Sequence, residues 1–139
     1  MTRLVLDASM ALAWIFERQN KEEAARAEKV LTMIADIETI VPTLWHIELI
    51  NALLIGERRK VVTEAQMIDY LNRLEKLPIL TDENTLPNRR EMVMDLAREH
   101  ALTAYDAVYL DLALRSNAVL ATFDTKLAKA MYKAGGSLI

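Results

Sequence analysis

Short apolar runs alternate with longer amphipathic stretches along most of this chain, and that alternation predicts strands that alternate with helices. Pro42 closes one apolar run and Pro78 opens another, as expected of residues that cannot donate to a sheet ladder. The runs predict strands over residues 3–7, 39–41, 79–81, 119–122 and 137–139.

The amphipathic stretches carry apolar residues at helical spacing, and local signals set their predicted ends. Ser9 and Thr103 are expected to cap helices, Thr63 and Gln66 match a capping box, and Gly135 is expected to end the last helix. The pattern predicts helices over residues 9–17, 22–36, 43–58, 63–76, 88–100, 103–116 and 125–134.

This order of elements predicts one α/β domain over residues 1–139. Because parallel strands need a returning helix, we expect a central, mostly parallel sheet with helices on both faces. The helices over 43–58 and 63–76 follow each other without a strand, so we expect them to form an antiparallel pair. Hydrophobic residues make up 53% of the 139 positions, which is enough for one core.

The composition excludes several kinds of site. The chain has no cysteine, so disulfides, thiolate zinc sites and cysteine nucleophiles are excluded. Its three glycines form neither a dinucleotide fingerprint nor a phosphate loop. The apolar runs are shorter than the about 20 residues that span a bilayer, and Asp7 interrupts the apolar segment next to the N-terminus. We therefore expect a cytoplasmic protein.

The net charge of −3 disfavours a surface that holds nucleic acid by its overall charge. Two local clusters of cations have the opposite sign, one at residues 58–60 and one formed by Lys126, Lys129 and Lys133. Either cluster can contact phosphates, but the more ordinary interpretation is a solvated helix face.

Acidic residues recur where predicted strands end or where the next helix begins. Because the carboxyl ends of parallel strands meet at one edge of a sheet, we expect the fold to gather these acids into one pocket. Their repulsion would then require a cation, and we expect them to share one divalent coordination sphere. The four acids are Asp7, Glu48, Asp106 and Asp124.

Three of these acids also have an ordinary structural explanation at helix ends. Asp7 and Asp124 each precede a predicted helix and are able to cap it. Asp106 is the third residue after the Thr103 cap, where an acid suits the helix dipole. The sequence alone leaves capping and catalysis as alternatives for all three.

Glu48 lies on a predicted helix with Asn51 one turn further on, and we expect Asn51 to orient it. The alternative is that Glu48 lies at the margin of the apolar face and reaches water. Asp111 is left out of the candidate site, because it lies on another helix face and is spaced to pair with Arg115.

Four segments, in order, resemble the motifs of PIN-domain nucleases, and most closely those of the VapC-like toxins of type II toxin–antitoxin pairs. Each motif is short, but the four occur in the family's order between residue 4 and about residue 127. The segments are VLDAS at 5–9, ELINAL at 48–53, LTAYDAVYL at 102–110 and LATFD at 120–124.

The resemblance implies a three-layer α/β/α domain that cleaves RNA with Mg²⁺ or Mn²⁺. It also implies a homodimer and a cognate antitoxin that holds the enzyme inactive. The residues that match the family's metal ligands and catalytic acids are Asp7, Glu48, Asp106 and Asp124. Those that match its supporting polar positions are Ser9, Asn51 and Thr122.

The residue types agree with a hard cation. Carboxylate oxygens suit Mg²⁺ or Mn²⁺, whereas zinc favours histidine and cysteine. His46 is two residues before Glu48 and so faces away from it on a helix. One or two ions would activate a water for in-line attack, and Asp7 or Asp124 would help to deprotonate that water.

Other classes of function stay open at this point. A PIN nuclease that processes RNA without being a toxin would share the same motifs. A magnesium-dependent phosphotransferase also uses an aspartate at a strand end, although Ser9 stands where a dehalogenase-like enzyme has its second aspartate. A non-catalytic binding module would use the acids as helix caps. A serine hydrolase is disfavoured, because no Gly-x-Ser-x-Gly elbow is present.

Overall fold

A parallel sheet forms the centre of the computed structural model, which describes residues 2–83 and 86–139. The strands are β1 (Arg3–Leu6), β2 (Glu38–Val41), β3 (Ile79–Thr81), β4 (Val119–Ala121) and β5 (Ser137–Leu138). Their spatial order is β3-β2-β1-β4-β5, and every pair of neighbours is parallel. The predicted α/β class with a parallel sheet is confirmed.

Helices cover both faces of this sheet and give the predicted three layers. They are α1 (Ala8–Leu12), α2 (Lys21–Met33), α3 (Thr43–Arg58), α4 (Glu64–Glu75), α5 (Arg90–His100), α6 (Ala104–Arg115) and α7 (Thr125–Lys133). Within the described ranges, none of them is both long and apolar enough to cross a bilayer.

Local sequence signals set several helix ends as expected. The Thr63 hydroxyl accepts from the Gln66 amide while the Gln66 side chain accepts from the Thr63 amide, so the predicted capping box is present. The Thr103 hydroxyl accepts from the Asp106 amide at 3.2 Å and caps α6. Gly135 has φ +87°, a conformation that suits glycine, and it lies just beyond the end of α7.

The first helix differs from its prediction at both ends. Asp7, not Ser9, occupies the N-cap position of α1, and the Ser9 side chain lies inside the helix. The helix ends at Leu12 rather than near Glu17, because the next amides bond three residues back, as in Trp14 N–H to the Ala11 carbonyl at 3.2 Å. The helix predicted from residue 88 begins instead as a 3₁₀ turn over Leu86–Arg89, before α5.

The strand order places a topological switch point between β1 and β4. From β1 the chain adds β2 and then β3 outward, and it later returns to the other side of β1 with β4 and β5. The side chains of Leu4, Val5 and Leu6 on β1 and of Leu120 and Ala121 on β4 are fully buried, so these two strands are rigidly held. In open α/β sheets, the crevice beyond the carboxyl ends of such strands is the usual place for a ligand.

Candidate active site

The four predicted acids lie on four different elements around this carboxyl edge. Asp7 and Asp124 directly follow the two strands of the switch point, within one and three residues of their ends. Glu48 lies on the second turn of α3, which begins just after β2. Asp106 lies on the first turn of α6. Strand order and helix starts therefore bring together residues that are up to 117 positions apart in the sequence, from Asp7 to Asp124.

Asp7 is held by hydroxyl groups from both strand ends. Its Oδ2 accepts hydrogen bonds from Ser9 Oγ at 2.7 Å and from Thr122 Oγ1 at 2.6 Å. The same hydroxyls also accept from the backbone, Ser9 from the Phe123 amide and Thr122 from the Asp124 amide, both at 2.9 Å. Ser9 and Thr122 therefore join α1 to the β4–α7 turn through the Asp7 carboxylate, as their match to supporting polar positions leads one to expect.

This environment changes the acidity of Asp7 in a definite direction. The residue is only 7% exposed, and burial raises the pKa of its carboxyl group. The hydrogen bonds from Thr122 and Ser9 oppose the rise, and the charge of Asp124 adds to it. Asp7 makes no side-chain capping hydrogen bond, so the alternative that it serves as the cap of α1 is not supported.

Glu48 is half-buried, and its partner is a tyrosine. Tyr109 Oη donates to Glu48 Oε1 at 2.5 Å, from a ring that is fully buried beneath the site. Asn51, which we expected to orient Glu48, is exposed and forms no hydrogen bond with it; that expected contact is replaced by Tyr109. Burial is the largest cause that raises the Glu48 pKa, and the charges of Asp7 and Asp106 raise it further.

The capping explanation holds in part for the other two acids. Asp124 Oδ1 accepts from the Leu127 amide at 2.9 Å and so caps α7. Asp106 occupies the first turn of α6, but the cap itself is the Thr103 hydroxyl. Burial raises the Asp106 pKa, followed by the charges of Asp124 and Asp7, whereas Lys126 acts in the opposite direction.

Mutual repulsion connects all four acids, but they do not yet meet around one point. Asp124 raises the pKa values of Asp7 and Asp106, and Asp7 raises those of Glu48 and Asp106. Yet within residues 2–83 and 86–139, no three acid or histidine side chains are grouped closely enough to hold one cation. One shared coordination sphere for the four acids therefore stays a prediction, since carboxylates without a compensating cation repel one another.

The chemistry of these side chains nevertheless fits a hard divalent cation. Every candidate ligand is a carboxylate oxygen at one sheet edge, and none of the four acids forms an ion pair with a described lysine, arginine or histidine. His46 lies outside the site, where its Nε2 forms a hydrogen bond with Thr81 Oγ1 at 2.9 Å. Asp7, Glu48, Asp106 and Asp124 are the residues that would hold the ion.

Two arginines pack against the turn that carries Asp124. The guanidinium groups of Arg18 and Arg26 lie 4.2 and 4.7 Å from the centre of the Phe123 ring, within the range of cation–π attraction. Arg26 also donates to the Thr122 carbonyl at 3.4 Å. These contacts add to the hydroxyl network that holds the Thr122–Asp124 turn.

Sequence reasoning missed Tyr109 and the two arginines for different reasons. Tyr109 is three residues after Asp106, so helical spacing alone places the two on one face of α6 and would have identified it. Arg26 contacts Phe123 from α2, and Arg18 contacts it from the segment before α2. No local spacing signal in the sequence connects either arginine to Phe123. Asp111, which was left out, indeed points elsewhere and pairs with Arg89 and Arg115.

Comparison with family models identifies the family of this chain. The model of the PIN domain family matches residues 4–131. No curated protein matches the sequence. A solved structure of PAE2754 from Pyrobaculum aerophilum is 26% identical, with a TM-score of 0.68, over 93% of this chain and 86% of that one.

Two further solved structures share the fold at lower identity. FitAcB from Neisseria gonorrhoeae is 17% identical with a TM-score of 0.62, over 98% of this chain and 96% of that one. VapBC2 from Rickettsia felis, bound to a DNA fragment from their promoter, is 14% identical with a TM-score of 0.65, over 99% and 98%.

Proposed function

This chain belongs to the PIN domain family, whose domains are generally nucleases, and from that membership we propose that it is a cytoplasmic endoribonuclease dependent on Mg²⁺ or Mn²⁺. One observation supports this proposal above all others. Four carboxylates from four elements lie at the carboxyl edge of the sheet near its switch point, and none of them forms an ion pair with a described lysine, arginine or histidine. Carboxylates that form no ion pair within the protein are suited to accept a divalent ion.

The proposed ligands are Asp7, Glu48, Asp106 and Asp124. A bound divalent ion would supply charge neutralisation, an activated water and stabilisation of the leaving oxygen during phosphodiester hydrolysis. The proposal leaves the number of ions, one or two, to experiment.

The chain's own groups position these ligands. Ser9 and Thr122 fix the Asp7 carboxylate, and Tyr109 fixes that of Glu48. Asp7 or Asp124 is the group that takes the proton from the attacking water. Asn51 is kept as a supporting position only through its match to the family motif.

We further propose that the enzyme is the toxin of a toxin–antitoxin pair and forms a homodimer. The VapC-like motifs and the shared fold with VapBC2 and FitAcB support this choice over a PIN nuclease that only processes RNA. Large apolar side chains on α3 and α4 are exposed and suit a protein partner: Ile47, Ile50, Leu54, Ile68 and Leu71.

The test is to incubate the purified protein with a mixed RNA pool and Mn²⁺. We expect cleavage that stops when a chelator is added and that resumes with fresh Mn²⁺. Asp124→Asn is the sharpest companion variant, because asparagine still caps α7 but is a poor metal ligand. It should lose cleavage while the metal-free protein keeps its stability.

Two outcomes would contradict the proposal. Cleavage that persists in chelator would exclude the metal site, and normal cleavage by Asp124→Asn would remove that acid from it.

Transfer of phosphate from a phosphoryl donor to an aspartate, without RNA cleavage, would favour a phosphotransferase instead. Absence of any metal-dependent stabilisation would favour a binding module.

A further inference from the structure

The largest run of unpaired cations near the acidic site lies on α7. Lys126, Lys129 and Lys133 are exposed, and none of them forms an ion pair with a described carboxylate. All three line one shallow groove together with His100, Ala101, Ala130 and Glu99. The charge run noticed in the sequence is thus a continuous surface and not three separate side chains.

Helical spacing explains why the lysines share a groove. They are three and four residues apart, which places them on one face of α7. With a rise of about 1.5 Å per residue, the row from the first to the last is about 10 Å long. That length allows contact with more than one phosphate of an extended strand.

The groove starts next to one of the four acids. Lys126, which lines it, is two residues after Asp124 and lies on the first turn of α7. Glu99 also lines the groove, but its Oε2 lies 3.9 Å from the His100 Nε2 and it forms no ion pair with a described lysine. A chain of phosphates that leaves the acids would therefore meet the lysine row directly.

The second cationic cluster offers an instructive contrast. Arg58 and Arg59 are exposed at the end of α3, at least ten residues beyond Glu48 on the same helix. The helical rise separates them from that acid by about 15 Å. Their charge resembles that of the α7 row, but they do not adjoin the acids.

From this arrangement we propose that the α7 groove is a subsite for the phosphate backbone of single-stranded RNA on one side of the scissile bond. The inference rests on the proposed ribonuclease function and extends it by naming where the substrate strand lies. Lysines bind phosphate as point charges without reading bases, so the subsite contributes affinity and not sequence preference.

The test compares two double variants that remove equal charge. Lys129→Gln with Lys133→Gln alters the groove but spares Lys126, which interacts with Asp106. Arg58→Gln with Arg59→Gln is the matched control. Fluorescence anisotropy with a labelled single-stranded RNA of mixed sequence, in Ca²⁺, gives Kd over a range of salt concentrations. Steady-state cleavage in Mn²⁺ gives KM and kcat separately.

We expect the groove variant to weaken binding about tenfold at low salt and to reduce the slope of log K against log salt by about 0.7 per lost phosphate contact. KM should rise while kcat changes little, and the effect should shrink for a trinucleotide. Reversing the charge, as in Lys129→Glu, should weaken binding further.

Wild-type Kd and salt slope in the groove variant, or equal losses in the control, would overturn the inference. In that case the groove serves another purpose, such as contact with a protein partner. Anisotropy does not depend on cleavage, so a failure of the ribonuclease proposal and a failure of this one give different results. Circular dichroism checks that each variant is folded.

Discussion

Two aspartates on α6, Asp106 and Asp111, are five positions apart and have opposite surroundings. Asp111 is only 4% exposed, yet Arg89 donates to both of its oxygens at 3.0 and 2.5 Å, and Arg115 donates at 3.4 Å. Asp106 is less buried, but its charged neighbours include Asp7 and Asp124, and it forms no ion pair with a described residue.

The difference separates an acid whose charge is compensated by arginines from one that forms no ion pair with a described residue. Where α6 meets the 3₁₀ turn, the chain supplies its own cations, and Arg115 extends the network to Asp82 after β3. At the switch point no described cation forms an ion pair with an acid of the site, and burial raises the pKa values of Asp7, Glu48 and Asp106. Burial of an acid is thus less informative than whether the chain compensates its charge.

The largest expected effect is on catalysis, from Asp106→Asn. The variant should lose more than about 100-fold in RNA cleavage, because loss of a metal ligand exceeds the 10- to 100-fold typical of residues that only support one. Its metal-free stability should be unchanged or higher, since one repelling charge is gone while the Thr103 cap remains. Cleavage assays in Mn²⁺ and urea unfolding in chelator measure the two effects. Normal cleavage would place Asp106 outside the site.

Asp111→Asn should do the reverse. Asp111 is buried whereas Arg89 and Arg115 are partly exposed, so removing its charge leaves two partly solvated guanidinium groups poorly paired. We expect a loss of about 2 kcal/mol in the free energy of unfolding, less than for a fully buried pair. The folded fraction should cut RNA at close to the wild-type rate. The exposed pair of Asp69 with Arg73 provides a control, and Asp69→Asn should change stability by less than about 0.5 kcal/mol. Equal effects in the two variants would contradict the comparison.

The sequence predicted the helices and strands that carry these aspartates better than it predicted their side-chain contacts. Periodicity and turn residues define β3 at Ile79–Thr81 and α3 at Thr43–Arg58 with the predicted bounds, because their signals are local. The spacing of Asp111 to Arg115 was also readable, since helix neighbours are four residues apart. The contact between Arg89 and Asp111 could not be predicted from the sequence, because it depends on how the 3₁₀ turn packs against α6.

The candidate site shows the same division. Strand ends and helix starts place Asp7, Glu48, Asp106 and Asp124 at one sheet edge, and the sequence was enough to expect that. The distances between the four carboxylates depend on electrostatic repulsion and on competing hydrogen bonds, such as that from Tyr109 to Glu48. No local pattern in the sequence predicts these effects.

The acidic half of the comparison should also respond to pH and metal. The carboxyl pKa values of Asp7, Glu48 and Asp106 are raised, so the folded protein binds protons more tightly than the unfolded chain does. Their contribution to stability is therefore most favourable at low pH and is lost as the pH rises from the ordinary carboxyl range through the raised values. Calorimetry in chelator should show this loss.

Mn²⁺ should restore stability above that pH window, by about 2.7 kcal/mol at a concentration 100 times its Kd. Asp7→Asn should show both a flatter pH dependence in chelator and a smaller gain from Mn²⁺. The Asp111→Asn variant should keep the wild-type gain from Mn²⁺, because its acid is compensated by arginines. A wild-type protein that gains nothing from Mn²⁺ at neutral pH would remove the electrostatic basis of the comparison.

The smallest effect is expected from Tyr109→Phe, which deletes one hydroxyl beneath the acids. That hydroxyl lowers the pKa of Glu48, so its loss should raise the pKa further and shift the acidic limb of the pH–rate profile upward. We expect cleavage at neutral pH to fall about tenfold, as for residues that orient a metal ligand, and stability to fall by about 1 kcal/mol. Tyr70→Phe is the matched control. The Tyr70 hydroxyl donates to the Ala11 carbonyl at 2.7 Å and contacts none of the acids. The control variant should lose a similar amount of stability with no shift of the pH profile; if both variants leave the profile unchanged, Tyr109 is a core residue that does not tune Glu48.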